Sequence, residues 1–281
     1  MTAHHEHVKT WFVTGASSGI GLALVHYALD QGHNVVATAR SIARLAALRD
    51  EAPERVLIHR LDVTAPGEAA AALKAARERF GRIDVLINNA GYGIVGALEE
   101  TPESELRAQM ETNFFGAWAV TQAALPLMRE QGAGAIVNIS SLGGRLSFAG
   151  FSAYSASKFA LEGMSEALAE EMAPFGVKVL IVEPGQMRTA FASESLRHMP
   201  ALDAYAQTVG QTRTFTHAMD GAQTGDPDKM GHAIDAALAA DATPLRLQLG
   251  TDAVDMVRTH TKRMLSDLAA WEKVGRSVAL D

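Results

Sequence analysis

Thr14-Gly15-Ala16-Ser17-Ser18-Gly19-Ile20-Gly21 separates a short apolar run from a helical pattern near the start of this 281-residue chain. Its glycines have the spacing G-x-x-x-G-x-G. Glycine permits a tight turn and close approach of the backbone to a pyrophosphate, which the free N–H groups and dipole of a helix N-terminus attract. Alone, such a turn is weak evidence, but its place at the first strand–helix junction favours a dinucleotide site.

Beyond this turn, apolar runs alternate with helical patterns. Strands are predicted at 11–13, 34–38, 56–58, 83–87, 135–139, 177–182 and 245–249, and helices at 20–31, 42–49, 66–80, 102–129, 153–175, 227–240 and 252–271. Nearly continuous apolar runs suit strands that are buried on both faces, as in a parallel sheet. The order predicts an α/β fold: a doubly wound, Rossmann-like parallel sheet of about seven strands, with helices on both faces, in a single domain.

The composition narrows the function classes. The net charge is −7 and the basic residues are scattered, which argues against a nucleic-acid surface. The chain has no cysteine, so disulfides and thiolate metal sites are excluded. His4, His5 and His7 have no neighbours that complete a metal-ligand set, so no metal site is predicted. No apolar run reaches the length of a membrane span, and a cytoplasmic location is predicted.

The end of the second predicted strand bears on the choice of dinucleotide. An acid at this position binds a ribose 2′-hydroxyl, whereas an arginine accommodates a 2′-phosphate. The strand ends in Ala39-Arg40-Ser41, with no acid. We therefore predict NADP(H) rather than NAD(H), with Arg40 at the 2′-phosphate; the alternative is that Arg40 is a solvated surface cation.

Tyr154 and Lys158 stand four residues apart within a predicted helix, and Ser140 and Ser141 precede the tyrosine by fourteen and thirteen residues. Positions i and i+4 share one helix face. A neighbouring cation favours a phenolate, so Lys158 is predicted to lower the pKa of Tyr154 from its usual value of about 10. Each residue has a structural alternative: a packed tyrosine, a surface lysine, or serines that cap a turn.

Taken together, these motifs resemble those of a classical short-chain dehydrogenase/reductase of the NADP-preferring branch, over about residues 8 to 250. The motifs occur in order along the chain: Thr14–Gly21, Asp62, Asn88-Asn89-Ala90-Gly91, Asn113, Ser141, Tyr154 with Lys158, and Pro184-Gly185.

The resemblance implies a function for each motif. Asn113, Ser141, Tyr154 and Lys158 are the catalytic residues, and the thirteen-residue spacing selects Ser141 over Ser140. The implied cofactor-binding residues are Gly15, Ser17, Ser18, Gly19, Ile20, Gly21, Arg40, Asp62, Val63, Asn89, Ala90, Gly91, Tyr154, Lys158, Pro184, Gly185, Met187 and Thr189. The implied reaction is hydride transfer between NADP(H) and a carbonyl or secondary alcohol, with Tyr154 as general acid and base. Lys158 is also implied to hydrogen-bond the nicotinamide ribose, and Asn113 is implied to hold a water.

Two other functions stay open: a regulatory protein that binds a dinucleotide without chemistry, and a sugar-nucleotide epimerase or dehydratase of the related extended branch. Residues 1–7 are predicted to be a disordered tail. Residues 186–225 lack a clear period and carry several Met and Phe residues. This pattern predicts a lid that covers an apolar pocket. The resemblance further implies a homodimer or homotetramer, formed through the helices predicted at 102–129 and 153–175.

Overall fold

The computed structural model describes residues 8–280. Its strands are β1 (Thr10–Val13), β2 (Asn34–Ala39), β3 (Val56–Arg60), β4 (Val85–Asn88), β5 (Gly93–Val95), β6 (Gly134–Ile139), β7 (Val177–Pro184), β8 (Leu196–His198) and β9 (Arg246–Leu249). Its α-helices are α1 (Gly19–Asp30), α2 (Ala46–Glu51), α3 (Glu68–Phe80), α4 (Glu103–Met110), α5 (Gly116–Gln131), α6 (Ser152–Met172), α7 (Phe191–Glu194), α8 (Val209–Met219), α9 (Met230–Ala239) and α10 (Thr251–Arg276).

Seven strands form one parallel sheet in the order β3-β2-β1-β4-β6-β7-β9. The predicted doubly wound sheet of about seven strands in a single domain is confirmed. The strand order reverses beside β1, which has β2 on one side and β4 on the other. In such sheets the carboxyl ends of the strands at this reversal form a crevice that binds ligands.

Alternation along each strand divides the core between the two faces of the sheet. Trp11 and Val13 pack with residues of α1 and α9, whereas Phe12 packs with residues of α3, α5 and α6. All three side chains are fully buried. Burial on both faces explains why β1 is a continuous apolar run in the sequence.

The helix predicted at 102–129 is present as one unbroken helical run from Glu103 to Gln131, but it is not α-helical throughout. A π-helical turn, Glu111–Phe115, lies between α4 and α5. Gly116 follows this turn, and a Cβ atom there would lie 2.5 Å from Cγ2 of Val63. The amphipathic pattern continues through the turn, so the sequence period does not reveal the extra residue.

The segment 186–225 is more regular than its sequence pattern indicates. It contains α7, β8 and α8. Strand β8 pairs in parallel with β5, and neither of these two strands was predicted. Strands of three residues are too short to show a period. Backbone hydrogen bonds between β8 and β5 therefore attach this segment to the rest of the domain. Its role as a lid stays a prediction.

Smaller differences concern element ends. The predicted helix at 42–49 is a 3₁₀ turn, Ile42–Leu45, followed by α2, and the predicted strand at 83–87 begins only at Val85. Helix α10 continues to Arg276 rather than ending at residue 271. Among residues 8–280, no helix combines the length and the apolar character needed to cross a bilayer.

Candidate active site

A cleft of about 1480 Å³ runs along the carboxyl edge of the sheet. Most of the predicted site residues lie on or just after turns that follow successive strands, because the carboxyl ends of parallel strands meet at one edge. Tyr154 and Lys158 lie on α6. Those lining the cleft are Gly15, Ser17, Ser18, Gly19, Ile20, Arg40, Asp62, Val63, Asn89, Ala90, Gly91, Ser141, Tyr154, Lys158, Pro184, Gly185, Met187 and Thr189. Gly21 and Asn113 lie immediately behind this lining.

The glycine-rich turn is tied to the end of β4. Asn89 donates from Nδ2 to the carbonyl oxygens of Thr14 and Gly15, at 3.0 and 3.1 Å. The Thr14 hydroxyl accepts from the backbone N–H groups of Asn89 and Ala90, at 2.9 and 3.1 Å. These bonds fix the turn at the floor of the cleft.

The same turn has the features of a phosphate cradle. Gly15 and Gly19 have φ angles of 64° and 53°, which favour glycine. Ser18 begins α1 without capping it through its side chain, which leaves N–H groups of the first turn open to an anion. The residues present therefore fit a pyrophosphate.

Gly21 gives a direct test of this cradle. A Cβ atom at Gly21 would lie 2.4 Å from the Gly15 carbonyl oxygen and 2.5 Å from Nδ2 of Asn89. We expect Gly21→Ala to abolish measurable nucleotide binding in calorimetry, because the turn must shift to relieve these contacts. As a matched control, Gly163→Ala in α6 should bind normally, since a Cβ atom there meets nothing within 4 Å. Normal binding by Gly21→Ala would contradict the assigned cradle.

Arg40 follows β2 and is exposed at the edge of the cleft. Arg44, which was not predicted, lines the same edge and lies 3.3 Å from Oε2 of Glu194 in α7. Burial acts to raise the pKa of Asp62, but hydrogen bonds from Thr64 and the charges of Arg40 and Arg60 outweigh it and lower the pKa. This end of the cleft therefore contains Arg40 and Arg44, and the charge of Arg40 acts on the ionised carboxylate of Asp62.

Tyr154 and Lys158 lie together as predicted, with Nζ of Lys158 5.9 Å from the centre of the tyrosine ring. Burial raises the pKa of Tyr154 to about 12, and a hydrogen bond with Ser141 acts in the opposite direction. The prediction of a lowered pKa for Tyr154 is wrong in this structure, because the cost of burying a phenolate outweighs the interactions that favour it. Nζ of Lys158 donates to the Ile139 carbonyl oxygen at 2.8 Å. At neutral pH Tyr154 is therefore a phenol, the form that donates a proton.

Ser141 follows β6 and faces the tyrosine. Its hydroxyl oxygen accepts from the Gly143 backbone N–H at 3.0 Å. This bond occupies an acceptor position of the hydroxyl and leaves its hydrogen to donate. Ser141 can therefore donate to the Tyr154 oxygen or to a substrate oxygen.

Asn113 lies in the π-helical turn and is buried. Its Oδ1 accepts from the Tyr92 N–H at 3.0 Å, and its Nδ2 donates to the Tyr92 carbonyl at 2.9 Å and to the Ser157 hydroxyl at 3.0 Å. A Cβ atom at Gly91 would be 3.1 Å from Oδ1 of Asn113 and 3.7 Å from Nζ of Lys158. Asn113 thus clamps the chain beyond β4 against α6, beside the lysine.

The loop Pro184–Thr189 is held by the start of α10. Asp252 accepts from the Gln186 N–H at 2.8 Å, and a Cβ atom at Gly185 would lie 2.3 Å from the Asp252 carboxylate. Met187 is buried, and Thr189 lies against Gly19 on the opposite wall of the cleft. Asp252 was not predicted, because nothing near it in the sequence marks it.

A pair of buried carboxylates that share Arg246, those of Glu162 and Glu183, was also missed. Glu183 is fully buried, and burial raises its pKa to about 7, although Gln248, Arg145 and Arg246 act to lower it. Glu162, one helical turn after Lys158, lies 2.8 Å from Nε of Arg246. Burial lowers the pKa of Lys158 to about 8, and the charge of Glu162 opposes this change.

Glu162 should therefore help to keep Lys158 protonated. We expect Glu162→Gln to lower the pKa of Lys158 further, so that carbonyl-reduction kcat/KM falls at a lower pH than in the wild type, while the two profiles coincide in acid. The measurement is kcat/KM as a function of pH from about pH 5 to 10, a range that includes the pKa of Lys158 in both proteins. Glu166→Gln, one turn further along α6, is the control and should leave the profile in place; coincident wild-type and Glu162→Gln profiles would disprove the coupling.

The family model described as short chain dehydrogenase matches residues 9–200. The chain belongs to the short-chain dehydrogenase family. A short-chain dehydrogenase from Streptomyces avermitilis of known structure is 48% identical, with a TM-score of 0.93, and the match covers 98% of this chain and 100% of that one. The fold and the cleft are therefore those of a short-chain dehydrogenase over nearly the whole chain.

Two further relatives are named as a reductase and as an alcohol dehydrogenase. A 3-ketodihydrosphingosine reductase from Bacteroides thetaiotaomicron is 38% identical over 260 residues, which cover 91% of this chain and 92% of that protein. An alcohol dehydrogenase from Thermococcus sibiricus, solved with 5-hydroxy-NADP, is 26% identical with a TM-score of 0.71, covering 86% of this chain and 96% of that one. The family and these relatives support an oxidoreductase that transfers hydride and uses a dinucleotide cofactor.

Proposed function

We propose that this protein is an NADP(H)-dependent oxidoreductase that interconverts an apolar ketone or aldehyde and the corresponding alcohol. The observation that carries the proposal is the convergence of Tyr154, Ser141 and Lys158 beside the glycine-rich turn, in one cleft. The nicotinamide supplies or accepts the hydride when it is bound. The chain's own residues bind it, orient the substrate and move the proton.

The proton comes from Tyr154 in the direction of reduction. A phenol whose pKa is about 12 is protonated at neutral pH and can donate to the carbonyl oxygen as negative charge develops there. Ser141 donates a second hydrogen bond to the same oxygen, as an oxyanion hole does. In the reverse direction Tyr154 accepts the alcohol proton, so oxidation is expected to rise with pH.

Lys158 and Asn113 support this proton transfer. Lys158 lies near Gly91, where its ammonium can hold a ribose hydroxyl, and its charge stabilises a transient phenolate. Asn113 fixes Tyr92 and Ser157 on either side of this position, and we include a water held by Asn113 as part of the proposed proton path. Asp62, Val63, Ala90 and Gly91 are proposed contacts of the adenine half, and Met187 and Thr189 of the nicotinamide carboxamide.

The preference for the 2′-phosphate rests on Arg40 and Arg44. Both guanidinium groups lie after β2, and no acid at the end of that strand would bind a free 2′-hydroxyl. The relative solved with 5-hydroxy-NADP agrees with this choice.

The substrate is proposed to be apolar because of the walls of the outer cleft. These walls include Phe148, Phe151, Phe191, Phe215, Met219 and Met256, although Gln211, Thr212, Thr216 and Gln223 also line the cleft. Arg197, the nearby cation, is paired with Glu105 at 3.2 Å and lies over the Tyr92 ring. The name of the Bacteroides relative favours a long-chain ketone, and residues 186–225 would cover its chain.

The test is NADPH oxidation with a series of ketones of increasing chain length, including 3-ketodihydrosphingosine. We expect kcat/KM to rise with chain length and NADPH to be preferred to NADH. Failure to bind NADPH would refute the proposal, and equal rates for short and long ketones would remove its substrate class.

We also propose a homodimer or homotetramer that forms through the helices at 102–129 and 153–175. Three exposed aromatic side chains on these helices support it: Phe115 in the π-helical turn, Trp118 on α5 and Phe159 on α6.

A further inference from the structure

Helix α10 extends beyond the body of the protein. From residue 261 to its end at Arg276, every residue is exposed. This part is about 24 Å long at 1.5 Å per residue. A single helix of that length is only marginally stable in water without a packing partner. Its exposed length therefore requires an explanation.

Large apolar side chains are concentrated on one side of this part of the helix. Leu268 and Trp271 are 67% and 68% exposed, and Met264 and Leu265 are 56% and 60% exposed. Apolar or small residues recur at steps of four and three, which form the C-terminal stripe: Val257, Thr261, Met264, Leu268, Trp271 and Gly275. This alternation is the heptad pattern of the seam between two coiled helices.

We infer that the C-terminal stripe packs against the same stripe of a second copy of this chain, as an antiparallel pair of helices centred near residue 266. In this register each large side chain meets a small or complementary one. Trp271 faces the partner's Thr261, Gly275 faces the partner's Val257, and Leu268 faces the partner's Met264. Leu265, next to the stripe, lies beside its own counterpart, so it is covered together with the exposed apolar residues of the stripe.

The charges that flank the stripe favour the antiparallel direction. In the antiparallel pair Arg258 meets the partner's Glu272, and symmetry repeats this contact. A parallel pair would instead place Asp267 against the partner's Glu272 and stack Trp271 on the same residue of the other copy. The antiparallel pair has one unfavourable contact, Asp267 with its counterpart, and Arg263 lies 4.0 Å from that carboxylate in the same chain.

A membrane surface fits the helix less well than a second copy. Helix α10 has five basic and four acidic side chains. A helix that lies on an anionic membrane usually has a strongly basic polar face. The near balance of charge therefore favours a protein partner with mixed charges, as the helix itself has.

Cross-linking tests the register directly, because the chain contains no cysteine. Leu265→Cys should cross-link to itself under mild oxidation or with a short bismaleimide. Trp271→Cys should not cross-link to itself but should do so when mixed with Thr261→Cys. The control is Ser266→Cys, on the opposite face, which should remain uncross-linked. Absence of a Leu265→Cys dimer, or self-linking of Trp271→Cys, would overturn the proposed pair.

Light scattering on the full chain tests association independently. Leu268→Asp should halve the mass of the wild-type assembly at micromolar concentration, whereas Ser266→Asp should leave it unchanged. Arg258→Glu and Glu272→Arg should each weaken association by about fivefold, and the double variant should restore it. An unchanged mass for Leu268→Asp overturns the inference, and Leu268-dependent sedimentation with phosphatidylserine vesicles would then assign the stripe to a membrane surface.

Discussion

Tyr154→Phe is expected to lower kcat for carbonyl reduction by about 10²–10⁴-fold while leaving NADPH binding largely intact. The substitution removes one hydroxyl and keeps the ring, which packs 6.1 and 6.2 Å from the rings of Phe151 and Phe191. The substrate oxygen then loses its proton donor but keeps the hydrogen bond from Ser141. Steady-state kinetics and calorimetric NADPH titration on the same preparation separate the two effects.

Tyr205→Phe is the matched control for this substitution. It removes a phenolic hydroxyl that donates to Glu99 at 2.7 Å, away from the proposed reacting groups. We expect its turnover to equal that of the wild type. A fully active Tyr154→Phe protein would contradict the mechanism, and normal NADPH binding without turnover by the wild type on every ketone would favour the regulatory alternative.

Arg40→Ala is expected to weaken NADPH binding by about 10- to 100-fold, the loss of one or two hydrogen bonds to a charged group. NADH lacks the 2′-phosphate, so its affinity should not change. The preference for NADPH over NADH should therefore fall by the same factor. Fluorescence titration of the two reduced nucleotides measures both affinities.

Arg49→Ala, an exposed arginine on α2, is the control for the loss of one positive charge near this surface. It should alter neither affinity. If Arg40→Ala weakens NADPH and NADH equally, Arg40 acts on the shared part of the nucleotide. If it weakens neither, Arg40 is the solvated cation that the sequence left as an alternative.

Much of the site could be predicted because it depends on local sequence at strand ends. Each of the turns after β1, β2, β3, β4, β6 and β7 supplies predicted residues, and parallel strands bring those turns to one edge. The spacing of Tyr154 and Lys158 likewise predicted that they share a helix face. Neither inference needs the positions of distant residues.

Other parts of the site depend on contacts between distant segments. Asp252 holds the loop at Gln186 from 66 residues away, and β5 pairs with β8 across about a hundred residues. The pKa of Tyr154 was predicted with the wrong sign because the charge of Lys158 was considered and the cost of burying a phenolate was not. Burial is set by all the elements packed around a side chain, so four residues of sequence cannot give it.

The sequence by itself determined the α/β fold, the glycine-rich turn, the arginine after the second strand, and the set Asn113, Ser141, Tyr154 and Lys158. The fold, the glycine-rich turn and the pairing of Tyr154 with Lys158 follow from hydrophobic period, glycine spacing and short distances along the chain, which are local properties. Asn113 and Ser141 were instead implied by the resemblance of the ordered motifs to a known family. The tertiary structure alone decided the π-helical turn at Asn113, the buried pair Glu162 and Glu183, and the protonated state of Tyr154. Each of these depends on desolvation and packing, which arise only when distant segments enclose the same space.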